Sequence, residues 1–344
     1  HLMEALKRLS PKQIIFHGIG GDKMIAQGIE SLFPYHELSL LGFVEILPYF
    51  YNIFARIHQT VEDINTKKPD IVITIDSPGF NFRVVEHLHK PERAARCAKL
   101  FSHLLALLPF EPPHFEKVGL PCTFVGHPAV VETEEGNGAA FRAKYNINKD
   151  TTLLTLLPGS RKGEIKRHMP IFGPAIKLIA ARYPNIAIAV AVPRHMLEVI
   201  APYFENCPFR AVITANEEDK KNAFAACDLA LVKSGTVALE VARAGSPMIV
   251  TYRVNRLSAW AFRRMALTKY VNLINIITGK EVVPELLQEL CPPQAIATAA
   301  LQLLDHPEER SAQIVSSKAA IQQLYLPDGK RPSDVAAQTI LSQV

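Results

Sequence analysis

Between residues 152 and 252 short apolar runs alternate with stretches whose apolar positions recur every three or four residues. The runs at 152–157 (TLLTLL), 186–192 (IAIAVAV), 229–233 (LALVK) and 247–252 (PMIVTY) have the length and aliphatic content of buried strands. The intervening segments 169–182, 217–226 and 237–243 carry helical spacing. The first third follows the same rhythm. Residues 2–9 read as a helix, 13–17 (QIIFH) and 70–75 (DIVITI) as strands, 104–108 as a weaker strand, and 121–125 as another that runs into Gly126-His127-Pro128.

Strands spaced by helices imply parallel sheets with crossover connections. The rhythm lapses between His127 and about Asp150, around the EGNG stretch at 135–138. That lapse predicts a first domain over 1–130 and a second over 131–325, and a C-terminal helix over 326–344 is expected to pack back on the first. The expected fold class is therefore α/β, with two Rossmann-like domains facing a cleft and ligands bound beyond the carboxyl ends of the strands.

Composition narrows the function classes. With 48% hydrophobic and 21% charged residues the chain can bury a substantial core. No apolar run reaches the ~18 residues that cross a bilayer, and the amino terminus carries no signal-peptide pattern. The five cysteines are odd in number, scattered, and form no Cys-x-x-Cys. A reducing cytosol is the expected compartment and zinc is not expected. The net charge of +5 suits an anionic partner such as phosphate, nucleotide or acidic lipid, while no basic run interleaved with aromatics suggests nucleic acid.

Two turns carry candidate chemistry. The strand at 152–157 runs into Pro158-Gly159-Ser160-Arg161. Gly159 allows backbone N–H groups to approach an oxyanion, and Arg161 can grip two phosphate oxygens. An ordinary strand-to-helix turn with a solvated arginine fits that pattern equally well. The strand at 229–233 runs into Ser234-Gly235-Thr236, where Ser234 or Thr236 can cap a helix whose amino terminus faces a diphosphate. Glu240, about one turn on, can accept hydrogen bonds from ribose hydroxyls; a plain cap and a surface glutamate are the simpler reading of that turn alone. Both turns in one domain favour a nucleotide. Gly18-Ile19-Gly20-Gly21 does not make a dinucleotide fingerprint, because Lys23 stands where its third glycine belongs.

Taken in order, HGIGGDKM (17–24), LSLLGFVEIL (38–47), ITIDSPGFN (73–81), LLPFE (107–111), FVGHP (124–128), LLPGSR (156–161), KSGTVALE (233–240), TYR (251–253) and NIITGKEVVPELLQ (275–288) resemble the lipid-A-disaccharide synthases, glycosyltransferases of the B-type fold. The resemblance covers nearly the whole chain. Family members open with a strand and a Gly-Glu-x-Ser-Gly-Asp-type loop, and this chain starts after them. They also carry an aromatic segment where Lys90 here runs directly into Pro91, and Trp260 is the one tryptophan.

The resemblance implies an inverting enzyme that joins UDP-2,3-diacylglucosamine to 2,3-diacylglucosamine 1-phosphate (lipid X) through a β-1,6 bond. Asp76 is the implied base, with capping of its own loop or pairing with Lys90 or Arg83 as the structural alternative. The family's second acidic residue in that loop is replaced by Gly79. Arg161, with Gly159, Ser160, Ser234, Gly235, Thr236 and Glu240, is implied to hold the UDP. Asn275 and Glu281 are further candidates for uracil, sugar or ribose contacts. His127 reads as a hinge residue rather than a catalyst. No cofactor and no metal are expected, since Arg161 and a helix dipole can carry the leaving-group charge.

Residues 40–57 (LLGFVEILPYFYNIFARI) are apolar and aromatic enough to touch an inner-membrane surface, although one stripe of the segment must also pack on the sheet. The expected setting is a cytoplasmic enzyme, peripheral on the inner membrane, binding no nucleic acid, with oligomerisation left open. The alternatives are another B-type UDP-sugar enzyme, such as an epimerase or a cell-wall glycosyltransferase, and an inactive UDP-binding module.

Overall fold

The computed structural model describes residues 1–38, 50–88, 100–131, 134–253 and 269–344. Residues 40–49 of the apolar segment, Lys90, Pro91 and Trp260 lie outside them. The chain divides into two compact units, one of residues 1–128 with 326–344 and one of residues 129–325.

In the first unit α1 (Leu2–Leu9) packs on the C-terminal helix Pro332–Leu341 through Ala5, Leu6, Ala337 and Ile340, with Ile14, Phe16, Ile71 and Leu105 against them. A second cluster joins Phe33 and Ile57 to Phe80 and Val84, and so ties α2 (Phe50–Lys67) to α3 (Pro78–Leu88). Strands β1 (Leu104–Ala106) and β2 (Cys122–Phe124) form a parallel pair. The predicted strands at 13–17 and 70–75 are not strands among the described residues, where only an isolated bridge joins Gly18 to Ser31. A strand exists through its ladder, and neither run has one here. In 13–17 alternate residues (Ile14, Phe16) pack inward and Ile15 is exposed, whereas in 70–75 Ile71 joins that core and Val72, Ile73 and Ile75 are exposed.

The second unit carries a six-stranded parallel sheet in the order β5-β4-β3-β6-β7-β8. The strands are β3 (Thr152–Leu157), β4 (Ile186–Ala191), β5 (Arg210–Thr214), β6 (Leu229–Lys233), β7 (Met248–Tyr252) and β8 (Glu285–Leu287). The first strand of this unit lies in the middle of the sheet and the order reverses between β3 and β6, as in doubly wound folds. All six residues of β4 are buried, which is why it reads as a continuous apolar run.

The helices of this unit are α4 (Lys162–Arg182), α5 (Glu217–Ala226), α6 (Val237–Arg243), α7 (Leu273–Thr278), α8 (Pro293–Asp305) and α9 (Pro307–Gln322). Ile165, Phe172, Ile176 and Ile179 of α4 meet Ile296 and Ala300 of α8 and the strand residues Leu154, Leu156, Ile188 and Leu231 in one core. Helix α4 begins seven positions before the predicted residue 169. Its first turn is polar, and Pro170 and Pro174 lie inside it, so the apolar spacing starts late. Strands β5 and β8, short and only partly buried, were not expected from the pattern.

Candidate active site

A cleft of about 370 Å³ opens at the switch point of the second sheet. Its walls come from the ends of four strands: Gly159, Ser160 and Arg161 after β3, and residues 191–193, 214–217 and 233–237 from the last residues of β4, β5 and β6 onward, with Lys220 and Glu240 from the helices. Six predicted positions (Gly159, Ser160, Arg161, Ser234, Gly235, Thr236) and Glu240 therefore share one cavity.

The turn after β3 is built around Glu164 in the first turn of α4. Gly159 has φ 119, and a Cβ there would lie 2.5 Å from both Cβ and Oε2 of Glu164, so no other residue fits without displacement. The buried Glu164 carboxylate accepts the Ser160 backbone N–H at 2.9 Å and pairs with Arg161 Nη1 at 3.1 Å and Lys233 Nζ at 3.0 Å. Burial alone would raise its pKa; Lys233, the Ser160 N–H and Arg161 together hold it below its ordinary value. The donors expected to face a ligand are thus anchored by a carboxylate of the protein itself.

His168, one turn further along α4, is fully buried, with Nδ1 2.9 Å from the Glu164 carbonyl and its ring against Phe172. Burial, with Lys233 and Arg167 nearby, lowers its pKa to about 4, so it is neutral at pH 7. Its Nε2 has no hydrogen-bond partner among the described residues.

The turn after β6 differs from expectation. Thr236 precedes α6 but has φ −62 and ψ −23, already helical, and no side chain caps the helix. A capping hydroxyl needs an extended backbone to reach the second or third N–H, so neither Ser234 nor Thr236 plays that part. Ser234 is buried, and its N–H donates to the Thr251 carbonyl at 2.8 Å. Glu240 is paired with Lys220 Nζ at 2.9 Å, which also meets Glu217 at 2.8 Å. Thr214, 3% exposed on the cleft wall, has a hydroxyl with no partner among the described residues.

Asn275 and Glu281 do not line this cleft. Asn275 is fully buried: its amide donates to the Val283 carbonyl and to Glu285, and its oxygen accepts the N–H groups of Val282 and Val283. Nothing is left over for a ligand, and the residue shapes the turn between α7 and β8. Glu281 is exposed in that turn and accepts the Glu285 N–H at 3.4 Å. Asp76 belongs to the first unit, exposed, with φ 57, followed by Ser77 with φ 43. The Asn81 amide donates to the Asp76 carbonyl at 2.7 Å. His127 is buried, its pKa lowered by burial, and it stands beside the division between the units.

Glu164, Lys220, Lys233 and Thr214 were not among the predicted site residues. Glu164 left a sequence signal in its i,i+3 spacing from Arg161, and Lys233 in its place at the head of KSGTVALE (233–240), whereas Lys220 and Thr214 left none. Among the described residues no group of three His, Cys, Asp or Glu is placed to hold a metal ion, and no helix is long and apolar enough to cross a membrane.

The chain is similar to known proteins over nearly its whole length. The lipid-A-disaccharide synthetase family model matches residues 1–92 and 87–339, and the two stretches meet where Lys90 runs into Pro91. The lipid-A-disaccharide synthase of Rhodospirillum centenum is 40% identical over 363 aligned positions, covering 100% of this chain and 90% of that protein. That of Rickettsia prowazekii is 39% identical, covering 99% and 94%. Among solved structures, the UDP co-structure of S. aureus MnaA superposes with a TM-score of 0.60 at 15% identity, covering 99% of this chain and 90% of that one. The UDP-GlcNAc 2-epimerase of Neisseria meningitidis bound to UDP-GlcNAc gives 0.60 at 14%, covering 99% and 96%. These two likenesses show the fold. The sequence matches go further: the chain belongs to the lipid-A-disaccharide synthase family of glycosyltransferases.

Proposed function

We propose that this chain transfers the sugar of UDP-2,3-diacylglucosamine to the 6-hydroxyl of 2,3-diacylglucosamine 1-phosphate, forming a β-1,6 bond and releasing UDP. The observation that carries this reading is the cleft at the switch point, which brings the Arg161 guanidinium, the Ser234-Gly235-Thr236 turn and the half-buried Glu240 carboxylate to one cavity. Arg161 and the turn suit a diphosphate, Glu240 suits ribose hydroxyls, and the buried Thr214 hydroxyl offers the base a partner that can donate or accept.

Transfer with inversion needs one base and a stabilised leaving group. Asp76 takes the acceptor proton as the hydroxyl oxygen bonds to the anomeric carbon, and UDP leaves with the electron pair of the broken bond. Two consecutive non-glycine residues in the left-handed region, Asp76 and Ser77, support this role, because such strain persists where a side chain must be held in place. No cofactor and no metal enter the scheme, since the guanidinium supplies the positive charge at the leaving group.

The acyl chains of both substrates call for work at the inner-membrane surface, and residues 40–57 are the proposed contact. Within α2, Ile57 is buried and Ile53 packs on the core, while Tyr51 is 88% exposed and available to an interface. Tyr51→Ser should lower co-sedimentation with anionic liposomes without lowering the melting temperature; equal partition would move the contact elsewhere.

A UDP-release assay with both lipid substrates tests the main reading. Turnover that depends on both lipids is expected, and UDP binding without turnover would make the chain a binding module.

A further inference from the structure

We propose that Lys233, held in place by Glu164, is a second cation for the donor diphosphate beside Arg161. The inference rests on the nucleoside-diphosphate reading of the cleft and adds a residue to it.

Lys233 ends β6, and its side chain is only 16% exposed on the cleft wall. An ammonium that far from water needs a counter-charge. Its partner Glu164, however, is shared, because Lys233 Nζ and Arg161 Nη1 both meet the same oxygen, Oε1, at 3.0 and 3.1 Å. One carboxylate faces two cations, so this cluster keeps a surplus positive charge beside the cavity. Using one oxygen also makes the two cationic groups neighbours, although they come from different elements, the end of β6 and the turn after β3. Adjacent phosphates of a diphosphate present charges at a similar spacing.

Lys233 keeps donors for such a ligand. An ammonium has three N–H groups, and one points at Glu164. The Tyr252 ring lies 5.4 Å from Nζ and steadies the charge without consuming a donor. A competing arrangement, in which Glu164 occupies the phosphate seat and must be displaced, disagrees with burial. Glu164 is 7% exposed against 39% for Arg161, so the carboxylate lies beneath the cations rather than in front of them.

Calorimetric titration of UDP and of uridine into wild type, Lys233→Met, Glu164→Gln and the double variant tests this. Loss of one charge-assisted contact should weaken UDP about tenfold in Lys233→Met and leave uridine unchanged. Glu164→Gln should weaken UDP in the same selective way, and the double variant should lose less than the product of the two single losses, because part of what Glu164 does passes through the Lys233 ammonium and the rest through Arg161 and the Ser160 N–H. Unchanged UDP affinity in Lys233→Met, or equal losses for UDP and uridine, overturns the inference. Tighter UDP binding by Glu164→Gln does the same, since the carboxylate would then be a competitor. A wild-type protein that binds no UDP overturns the nucleotide reading itself, and this inference with it. If the variants do not fold, reductive methylation of wild type followed by peptide mass spectrometry decides: UDP, but not uridine, should slow modification of Lys233, and equal modification in both overturns the assignment.

Discussion

Lys220 Nζ bridges two carboxylates on the cleft wall, 2.9 Å from Glu240 and 2.8 Å from Glu217. Burial alone would lower the Lys220 pKa, but Glu240 and Glu217 hold it above its ordinary value. The ammonium therefore stays charged and fixes the Glu240 carboxylate on the wall of the cleft. A carboxylate fixed in this way can accept from a sugar hydroxyl without first being ordered, which lowers the entropic cost of binding. Glu240→Gln should weaken UDP about tenfold, the size of one hydrogen bond to a charged group, and leave 2′,3′-dideoxy-UDP nearly unchanged. Equal losses for both nucleotides would remove ribose from its role.

Asn275→Ala should act on stability rather than on the ligand. The change strands the N–H groups of Val282 and Val283, which the Asn275 oxygen now satisfies at 2.8 and 2.9 Å. An orphaned buried donor costs ~1–3 kcal/mol, in full for the Val283 N–H and in part for the half-buried Val282, so the melting temperature should fall by several degrees while UDP affinity in the surviving folded protein stays at the wild-type value. Weaker UDP binding at an unchanged melting temperature would restore Asn275 to the ligand site.

The buried His168 makes stability depend on pH. Its folded pKa of about 4 lies below its unfolded value, so between these two the unfolded chain binds the proton and the folded protein does not. The stabilisation is complete above the unfolded pKa and disappears as pH falls to about 4. At ~1.4 kcal/mol per pH unit, this one group accounts for roughly 3 kcal/mol across the window. His168→Leu should flatten the fall in melting temperature between pH 6.5 and 4; an unchanged slope would assign the acid sensitivity to other groups.

Asp76→Asn isolates the base. Asparagine adopts the left-handed backbone readily, so the loop conformation, with φ 57 at this position, should survive. Turnover should drop by roughly 100-fold, as expected for loss of a general base, while UDP affinity is kept. A parallel loss of UDP affinity would make Asp76 a donor-site or structural residue.

Transfer should persist in excess EDTA, because the leaving diphosphate is met by the guanidinium of Arg161. Loss of activity on chelation, restored by Mg²⁺ or Mn²⁺, would overturn that account.

What the sequence determined by itself was local and periodic. Buried parallel strands are apolar along most of their length, so β3, β4, β6 and β7 stand out as mostly aliphatic runs. The turns after β3 and β6 were legible because glycine and hydroxyl residues follow those runs directly, and six of the predicted donor-site positions with Glu240 do line one cavity. Tertiary structure decided everything that depends on a partner distant in the chain. Runs 13–17 and 70–75 have strand composition but no ladder, because pairing is a property of neighbours and not of a segment. Asn275 looks like a polar residue free to bind until the fold surrounds it with Val282, Val283 and Glu285, which use every donor and acceptor it has. Glu164 and Lys233 are 69 positions apart, nothing in the sequence pairs them, and only the fold puts their charges in contact with little water between them. Charges so far apart in the chain act on each other only once the fold has removed the solvent that would screen them.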